Sequence, residues 1–180
     1  MKQLQWKMDT PIQPIYLVAS RTGLQGIFWQ KQAIPLAKSL SGSATEIKIL
    51  KQAVCELGDY FSGKRKKFDL PLEMTGTPFQ KQVWTQLSQI PYGKTCSYKD
   101  IACQIKNAKA MRAVGTANGK NPFCIVIPCH RVIAADGSIG GYTGGLEIKM
   151  KLLALEQRSG GNLISSSPSE STCNMSLAPL

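Results

Sequence analysis

The spacing of apolar residues predicts strands near the start of the chain and helices after them. Short apolar runs at residues 15–19 and 26–29 flank a Gly-containing turn and predict two strands of a hairpin. Residues 68–72 are a further candidate strand, although a proline inside the run weakens it. Residues 44–61 carry apolar side chains at helical spacing and predict a helix. Those side chains are Ile47, Leu50, Val54, Leu57 and Phe61.

Capping residues mark the starts of two helices in the second half. Thr77 as N-cap, with Pro78 at the first helical position, is a strong start signal. Ser97 and Asp100 have the spacing of a capping box and predict the next start. The apolar residues of the first of these helices fall on one face and are expected in the core. They are Phe79, Val83, Trp84, Leu87 and Ile90.

A turn at residues 106–108 separates the Ser97 helix from a third helix over residues 109–118. Two short helices joined in this way are typical of a helix-turn-helix, which is a weak signal alone. Residues 123–127 are too short and β-branched for a helix and predict a buried strand or extended segment. The Gly-rich loop 140–145 allows close backbone approach to a ligand. A last helix over residues 146–157 has Leu146, Met150, Leu153 and Leu155 as its apolar residues.

These elements predict an α/β (α+β) chain in two domains. Residues 1–76 form a small sheet-plus-helix domain, and residues 77–158 form a mostly helical domain that carries the helix-turn-helix. Residues 159–180 are rich in Ser and Gly, which predicts a disordered tail.

The net charge of +11 favours a polyanionic partner, with nucleic acid ahead of an anionic membrane. A lysine-rich surface that only keeps the protein in solution is the plainer alternative. No stretch approaches the roughly 18 apolar residues of a membrane span, and the N-terminus lacks an apolar signal-peptide core. We therefore expect an intracellular protein, in the nucleus or in the cytoplasm (nucleoid).

The 6 cysteines and the single histidine argue against a metal centre. No Cys-x-x-Cys pair occurs, and one histidine does not complete a usual zinc set with these cysteines. The pattern predicts no metal and no cofactor, and it predicts that most of the thiols are buried.

The only histidine directly follows a cysteine, in the segment Ile127-Pro128-Cys129-His130-Arg131. A base or a cation beside a thiol raises its thiolate fraction, so Cys129 is a candidate nucleophile. Neighbouring side chains on an extended segment point in opposite directions, so contact between the pair requires a turn or a bridging water. From the residues alone, a thiol hydrolase, a group-accepting thiol and a buried structural cysteine all stay open.

Residues 77–157 resemble the catalytic domain of the O6-alkylguanine-DNA alkyltransferases, also called methylated-DNA–protein-cysteine methyltransferases. Residues 12–72 resemble the more variable N-terminal domain of that family loosely. The matching motifs are Thr77-Pro78-Phe79-Gln80, Val83-Trp84, Ser97-Tyr98, Met111-Arg112-Ala113-Val114-Gly115, Ala117-Asn118, Asn121-Pro122, Ile127-Pro128-Cys129-His130-Arg131-Val132, Gly141-Tyr142-Thr143-Gly144-Gly145 and Leu152-Leu153 with Glu156.

The resemblance implies a ribonuclease H-like N-terminal domain and a winged helix-turn-helix-like catalytic domain. It implies DNA repair by irreversible transfer of an alkyl group from guanine O6 to Cys129, once per molecule. His130 would take the thiol proton through a water, and Glu156 would orient His130. Asn121 would brace the turn, and Tyr98 would donate a hydrogen bond to the purine.

The resemblance also implies a DNA interface and a base pocket. Arg112 would fill the gap left by a flipped nucleotide, and Ala113 and Gly115 would allow close approach to the minor groove. In the substrate pocket, the backbone of Val132 and of the Tyr142-Thr143 loop would read the base edge, and Tyr142 would form a wall. Many relatives carry Ser at position 143, where this chain has Thr.

The implied partner is double-stranded DNA containing O6-alkylguanine, bound by a monomer. O4-methylthymine stays open as a second substrate. The chain lacks the His and Cys set with which some relatives bind a structural zinc. A non-catalytic protein that only binds the lesion is the alternative function.

Overall fold

A computed structural model describes residues 3–159, and its first half is built on a 3-stranded antiparallel sheet. The strands are β1 (Leu4–Met8), β2 (Ile15–Ala19) and β3 (Leu24–Phe28), in the order β1-β2-β3. The hairpin of β2 and β3 was predicted, with β3 displaced toward its N-terminus. Strand β1 was not predicted, because its one fully buried side chain is the amide of Gln5. That amide donates to the carbonyls of residues 32 and 34 and gives no apolar signal.

Helix α1 (Thr45–Phe61) packs against this sheet, as the spacing predicted. Its buried face is rotated from the predicted one. Leu50 and Leu57 are fully buried, whereas Ile47, Val54 and Phe61 lie at the edge of the core. The rest of the buried face includes Ile49, Ala53 and Tyr60.

The predicted strand at residues 68–72 is wrong. This segment makes a single bridge to β3, in which Leu24 N–H donates to the Pro71 carbonyl at 2.7 Å. Glu73 N–H donates in return to the Leu24 carbonyl at 2.8 Å. Because proline has no N–H, the ladder does not extend past this point.

Helix α2 (Pro78–Leu87) begins at the predicted N-cap Thr77, which forms a reciprocal capping box with Gln80. Helix α3 (Tyr98–Gln104) begins with the predicted box of Ser97 and Asp100. The core residues predicted for α2 are buried, except that Phe79 is only partly so.

Helix α4 (Met111–Gly119) follows a short 3₁₀ turn, so the connection from α3 is longer than predicted. The Trp84 indole N–H donates to the Ala117 carbonyl at 2.9 Å and ties α2 to α4. Two short strands, β4 (Cys96–Ser97) and β5 (Val132–Ile133), pair in parallel beside α3 and α4. The mixed α/β fold with a winged helix-turn-helix-like second half is therefore confirmed.

Residues 123–127 are buried as predicted but form a turn rather than a strand. Ile127 N–H donates to the Phe123 carbonyl at 2.9 Å, and Ile125 has a φ of 74°. A β-branched residue with positive φ is uncommon, so the surrounding packing must hold this conformation. The turn delivers the chain directly to Cys129.

The last helix, α5 (Leu146–Ser159), was predicted in position but not in orientation. Leu146 and Met150 are 52% and 47% exposed, although they belong to the apolar residues of the sequence pattern. Helix α5 buries both apolar and charged side chains, which are those of Ile148, Leu152, Lys149 and Glu156.

The two halves of the chain share one core. Ile27 of β3 donates its N–H to the Pro122 carbonyl at 2.8 Å and bridges to Phe123. Within residues 3–159 no helix is long and apolar enough to cross a membrane. The predicted tail lies outside the described residues, apart from its first residue.

We expect Gly58→Ala to stabilise the protein by about 0.5–1 kcal/mol, because glycine in a helix interior costs conformational entropy. Gly58 is exposed in α1, and an added Cβ would meet no atom within 4 Å. Urea unfolding measures the effect. The matched variant Gly23→Ala should destabilise, since its Cβ would lie 2.6 Å from the Pro71 carbonyl oxygen. A loss of stability in Gly58→Ala would contradict the argument.

Candidate active site

The candidate nucleophile lies on a single 3₁₀ turn, Cys129–Arg131, that directly precedes β5. The turn buries three consecutive side chains of different chemistry: a thiol, an imidazole and a guanidinium. Extended backbone would have turned Cys129 and His130 to opposite sides. The tight turn is therefore what brings both side chains into one buried site.

Two asparagines hold this turn. Asn121 Nδ2 donates to the Ile127 carbonyl at 2.8 Å, and Asn121 Oδ1 accepts from Phe123 N–H at 3.0 Å. Asn118 Nδ2 donates to the Cys129 carbonyl at 3.4 Å. Since both asparagines are buried, their amides give Phe123 N–H a partner and add a second hydrogen bond to carbonyls that the turn already uses once.

The carboxylate of Glu156 is the centre of a buried hydrogen-bond network. It accepts from His130 Nε2 at 2.8 Å, from Tyr60 OH at 2.8 Å and from Gly93 N–H at 3.0 Å. Arg131 adds a two-point contact through Nε at 2.8 Å and Nη2 at 2.9 Å. Such charge-assisted bonds are the strong ones in proteins, and they make up for the removal of Glu156 from water.

The contact with Glu156 also determines which nitrogen of His130 carries the proton. Nε2 faces the carboxylate and donates to it, so Nδ1 is the free base. Among the described protein atoms Nδ1 has no hydrogen-bond partner. Burial lowers the pKa of His130, and the negative charge of Glu156 opposes this without reversing it. The imidazole is therefore neutral and able to accept a proton.

The surroundings of Cys129 favour its thiolate. Hydrogen bonding by the Cys124 thiol lowers the pKa of Cys129, and burial works against this. The Asn121 amide and the positive charge of Lys149 lower it further. A thiol of lowered pKa is the kind of group that nucleophilic catalysis by cysteine uses.

Lys149 is a buried lysine that fastens the loop after β5 to α5. Its ammonium donates to the Val132 carbonyl at 2.6 Å, to the Ile139 carbonyl and to the Gly141 carbonyl at 3.5 Å. Burial lowers the pKa of Lys149 to about 8, and the negative charge of Cys129 opposes that. Lys149 thus places positive charge near the thiolate while it holds the loop.

A cavity of about 310 Å³ opens beside these groups. Its wall is formed by α3, by α4 and by the Gly-rich loop. The lining residues are Tyr98, Gly115, Asn118, Gly119, Gly141, Tyr142 and Thr143. Burial is the main cause of a raised pKa at Tyr98 and Tyr142, and the negative charge of Cys129 is the second. The thiol therefore lies close to this cavity.

The chain matches the family models of two consecutive domains. Residues 5–74 match the ribonuclease-like domain of 6-O-methylguanine DNA methyltransferase, and residues 78–158 match its DNA-binding domain. The chain is 46% identical over 153 residues to the methylated-DNA–protein-cysteine methyltransferase of Methanosarcina barkeri, covering 83% of this chain and 94% of the relative.

Solved structures agree. The O6-methylguanine methyltransferase of Mycobacterium tuberculosis superposes with a TM-score of 0.75 at 36% identity, covering 93% of this chain and 96% of the other. A structure of the Mycobacterium tuberculosis protein in complex with DNA gives a TM-score of 0.75 at 39% identity, covering 87% and 94%.

This chain belongs to the O6-methylguanine DNA methyltransferase family. It is a methylated-DNA–protein-cysteine methyltransferase that repairs DNA by direct reversal. The resemblance seen in the sequence is thereby confirmed. In the methyltransferase, Tyr98, Tyr142 and Thr143 line one cavity, and Asn121, Cys129, His130 and Glu156 are buried.

Val132 was predicted to read the base edge through its backbone. It is fully buried in β5 and does not line the cavity. Its N–H donates to the Cys129 carbonyl, and its own carbonyl accepts from Lys149. One lone pair of that carbonyl is thus already used. The predicted DNA-facing residues lie on α4, where Arg112 and Ala113 are exposed and Gly115 borders the cavity.

Several functional groups of the methyltransferase were missed in the sequence. Tyr60 of α1 donates a hydrogen bond from its hydroxyl to Glu156, and no local sequence pattern predicts this contact. Trp29 donates from its indole N–H to the Tyr142 hydroxyl at 3.2 Å and supports the Gly-rich loop. Lys149 could have been noticed only as a lysine inside an apolar helix face, and Cys124 only as a second thiol near the first.

The expectation that most thiols are buried is wrong for the described part of the methyltransferase. Cys124 and Cys129 are buried, Cys96 is partly exposed, and Cys55 and Cys103 are exposed. Within residues 3–159 no group of three or more His, Cys, Asp or Glu side chains is arranged to hold a metal ion.

We expect Glu156 to make the methyltransferase sensitive to acid. Burial raises the pKa of Glu156, but hydrogen bonds from His130 and Arg131 outweigh this and lower it from 4.5 to about 2. A lowered carboxyl pKa contributes stability that is complete above the unfolded pKa and lost as the pH falls toward the folded one. The shift corresponds to on the order of 3 kcal/mol.

Urea unfolding at a series of pH values between neutrality and the folded pKa tests this. Glu156→Gln should lose less stability on acidification than the wild type does. Glu147 lies on the same helix, and its ion pair with Lys151, which lowers the pKa of Glu147, is exposed to solvent, so Glu147→Gln should change the acid dependence far less than Glu156→Gln does. The same acid dependence in the wild type and in Glu156→Gln would contradict the assignment.

Proposed function

We propose that Cys129 is the alkyl acceptor of this methyltransferase and that its substrate is O6-alkylguanine in double-stranded DNA. The observation that supports this most is a thiol of lowered pKa followed, on one buried turn, by a neutral imidazole whose Nδ1 has no hydrogen-bond partner among the described protein atoms. The thiol lies close to a cavity lined by Tyr98 and Tyr142. A thiolate is a soft nucleophile, suited to attack on an alkyl carbon.

The transfer follows from these groups. His130 Nδ1 takes the thiol proton through a water, and Glu156, as a positioning residue, stabilises the imidazolium through Nε2. Cys129 Sγ then attacks the alkyl carbon, the carbon–O6 bond breaks, and its electron pair stays on the guanine. The Tyr98 hydroxyl donates a hydrogen bond to the purine and stabilises that negative charge.

The product explains why each molecule acts once. Alkylated Cys129 is a thioether, which has neither an ionisable proton nor a good leaving group. Neither His130 nor any other group described around Cys129 can remove the alkyl group. Product therefore cannot exceed protein, which distinguishes this function from that of a thiol hydrolase.

Access to the base requires that it leave the DNA stack, because guanine O6 is not otherwise within reach of a buried thiol. We propose that α4 enters the minor groove, where small Ala113 permits close approach and Arg112 fills the gap of the flipped nucleotide. The net charge of +11 supplies attraction to phosphates. We propose that a monomer acts in this way, in the compartment that holds the DNA.

Incubation with a methylated duplex should add one methyl group to the protein, on Cys129. Mass spectrometry of the intact chain and of its peptides measures this. Cys129→Ser should gain no methyl group, and Cys103→Ser, which removes an exposed thiol, should behave as the wild type does. Tight binding of the duplex without any mass change would contradict transfer and favour the alternative of a lesion-binding protein.

We expect Arg112→Ala to repair duplex DNA about tenfold more slowly or worse, because filling the gap in the stack offsets a few kcal/mol of unstacking. Reaction with free O6-alkylguanine base should change little. Lys109→Ala removes a positive charge from the 3₁₀ turn before α4 and serves as the matched control. It should weaken DNA affinity in a salt-dependent way while the rate in the bound complex is kept. Equal losses on both substrates in Arg112→Ala would remove Arg112 from this role.

A further inference from the structure

A second buried thiol lies beside the proposed acceptor. Cys124 and Cys129 are 4% and 2% exposed, and both belong to the same core cluster. The turn between them folds back on itself. Val126 N–H donates to the Cys124 carbonyl at 2.9 Å, and Cys129 N–H donates to the Ile127 carbonyl at 2.8 Å. The chain thus folds back between the two buried residues, and each thiol affects the pKa of the other.

We propose that Cys124 is a resolving thiol, which forms a reversible disulfide with Cys129 when a hydroperoxide oxidises the acceptor. The proposal rests on the proposed role of Cys129 as alkyl acceptor. It assigns to Cys124 a function beyond its effect on the pKa of Cys129. The disulfide would protect the acceptor from oxidation states that cannot be reversed.

The chemistry balances in two steps. The Cys129 thiolate attacks one oxygen of hydrogen peroxide, the O–O bond breaks, and the departing hydroxide takes a proton to become water. Cys129 is then a sulfenic acid. The Cys124 sulfur attacks Cys129 Sγ, the S–O bond breaks, and the hydroxide leaves with the Cys124 proton as a second water. Two thiols are oxidised to one disulfide, and the peroxide is reduced to two waters.

The surroundings of the two thiols favour Cys129 as the thiol that is oxidised first and Cys124 as the thiol that resolves it. The pKa of Cys129 is lowered, so this thiol reacts first. The pKa of Cys124 is raised, chiefly by its hydrogen bond to Cys129, then by burial and by the charge of Cys129. A sulfenic acid at Cys129 carries no charge, so two of these three effects weaken after the first step. Hydrogen bonds with Tyr142 and Trp29, which lower the pKa of Cys124, remain.

The oxidant would enter through the cavity described above, which lies close to Cys129. Its wall includes Tyr142, which also contacts Cys124. Hydrogen peroxide is far smaller than a purine base, so a cavity that admits the base also admits the oxidant. Oxidation therefore does not require a larger reagent to enter the cavity. The remaining described cysteines are exposed or partly exposed elsewhere on the fold.

Trypsin offers a direct measurement, because cleavage after Lys120 and Arg131 releases residues 121–131 with both thiols and no other cysteine. After hydrogen peroxide, this peptide from the wild-type chain should lose the mass of two hydrogen atoms and regain it with dithiothreitol. Alkyl-transfer activity, relative to the untreated sample, should return in parallel. Cys103→Ser, lacking an exposed thiol, should respond as the wild type does.

Cys124→Ser keeps a hydrogen-bond donor but removes the resolving sulfur. Its 121–131 peptide should gain two or three oxygen atoms, and dithiothreitol should not restore its activity. The idea fails if the wild-type peptide gains oxygens as Cys124→Ser does, or if both proteins lose activity irreversibly to the same extent. Because the disulfide is read by mass without DNA, its absence is distinguishable from a failure of Cys129 to accept alkyl groups.

Discussion

The buried carboxylate of Glu156 is the interaction on which the rest of the site depends. It joins Tyr60 of α1, the backbone before β4 and two residues of the 3₁₀ turn, so it connects both halves of the chain at one point. A charge at this depth is tolerable only while every partner is in place. The folding of the first half therefore contributes directly to the geometry of a reaction centre that lies in the second.

The same carboxylate explains which of the neighbouring groups carry a proton. By accepting from Nε2 of His130 it leaves Nδ1 as a base, and by pairing with Arg131 it keeps its own charge. Burial keeps the imidazole neutral, while Lys149 and polar groups around Cys129 favour the thiolate. A neutral imidazole and a thiol of lowered pKa thus lie on one buried turn.

The base pocket is assembled from parts that lie far apart in the sequence. Trp29 of the first half contacts Tyr142, and an added Cβ at Gly144 would lie 2.6 Å from the indole ring. That position therefore has no room for a side chain. Lys149 holds the other side of the loop through backbone carbonyls. These contacts position a Gly-rich loop whose own residues specify little structure.

The sequence by itself determined the helix starts at Thr77 and Ser97 and the β2–β3 hairpin, and it marked Cys129 as a candidate nucleophile, because capping, turn and motif signals are local. The resemblance to the alkyltransferases identified the family. Only the tertiary structure decided that Glu156, Tyr60 and Lys149 are buried and which of them contact His130. The tertiary structure also decided which face of α5 is buried and that residues 123–127 form a turn. Those outcomes depend on packing between distant segments, which the spacing of residues along one segment does not encode.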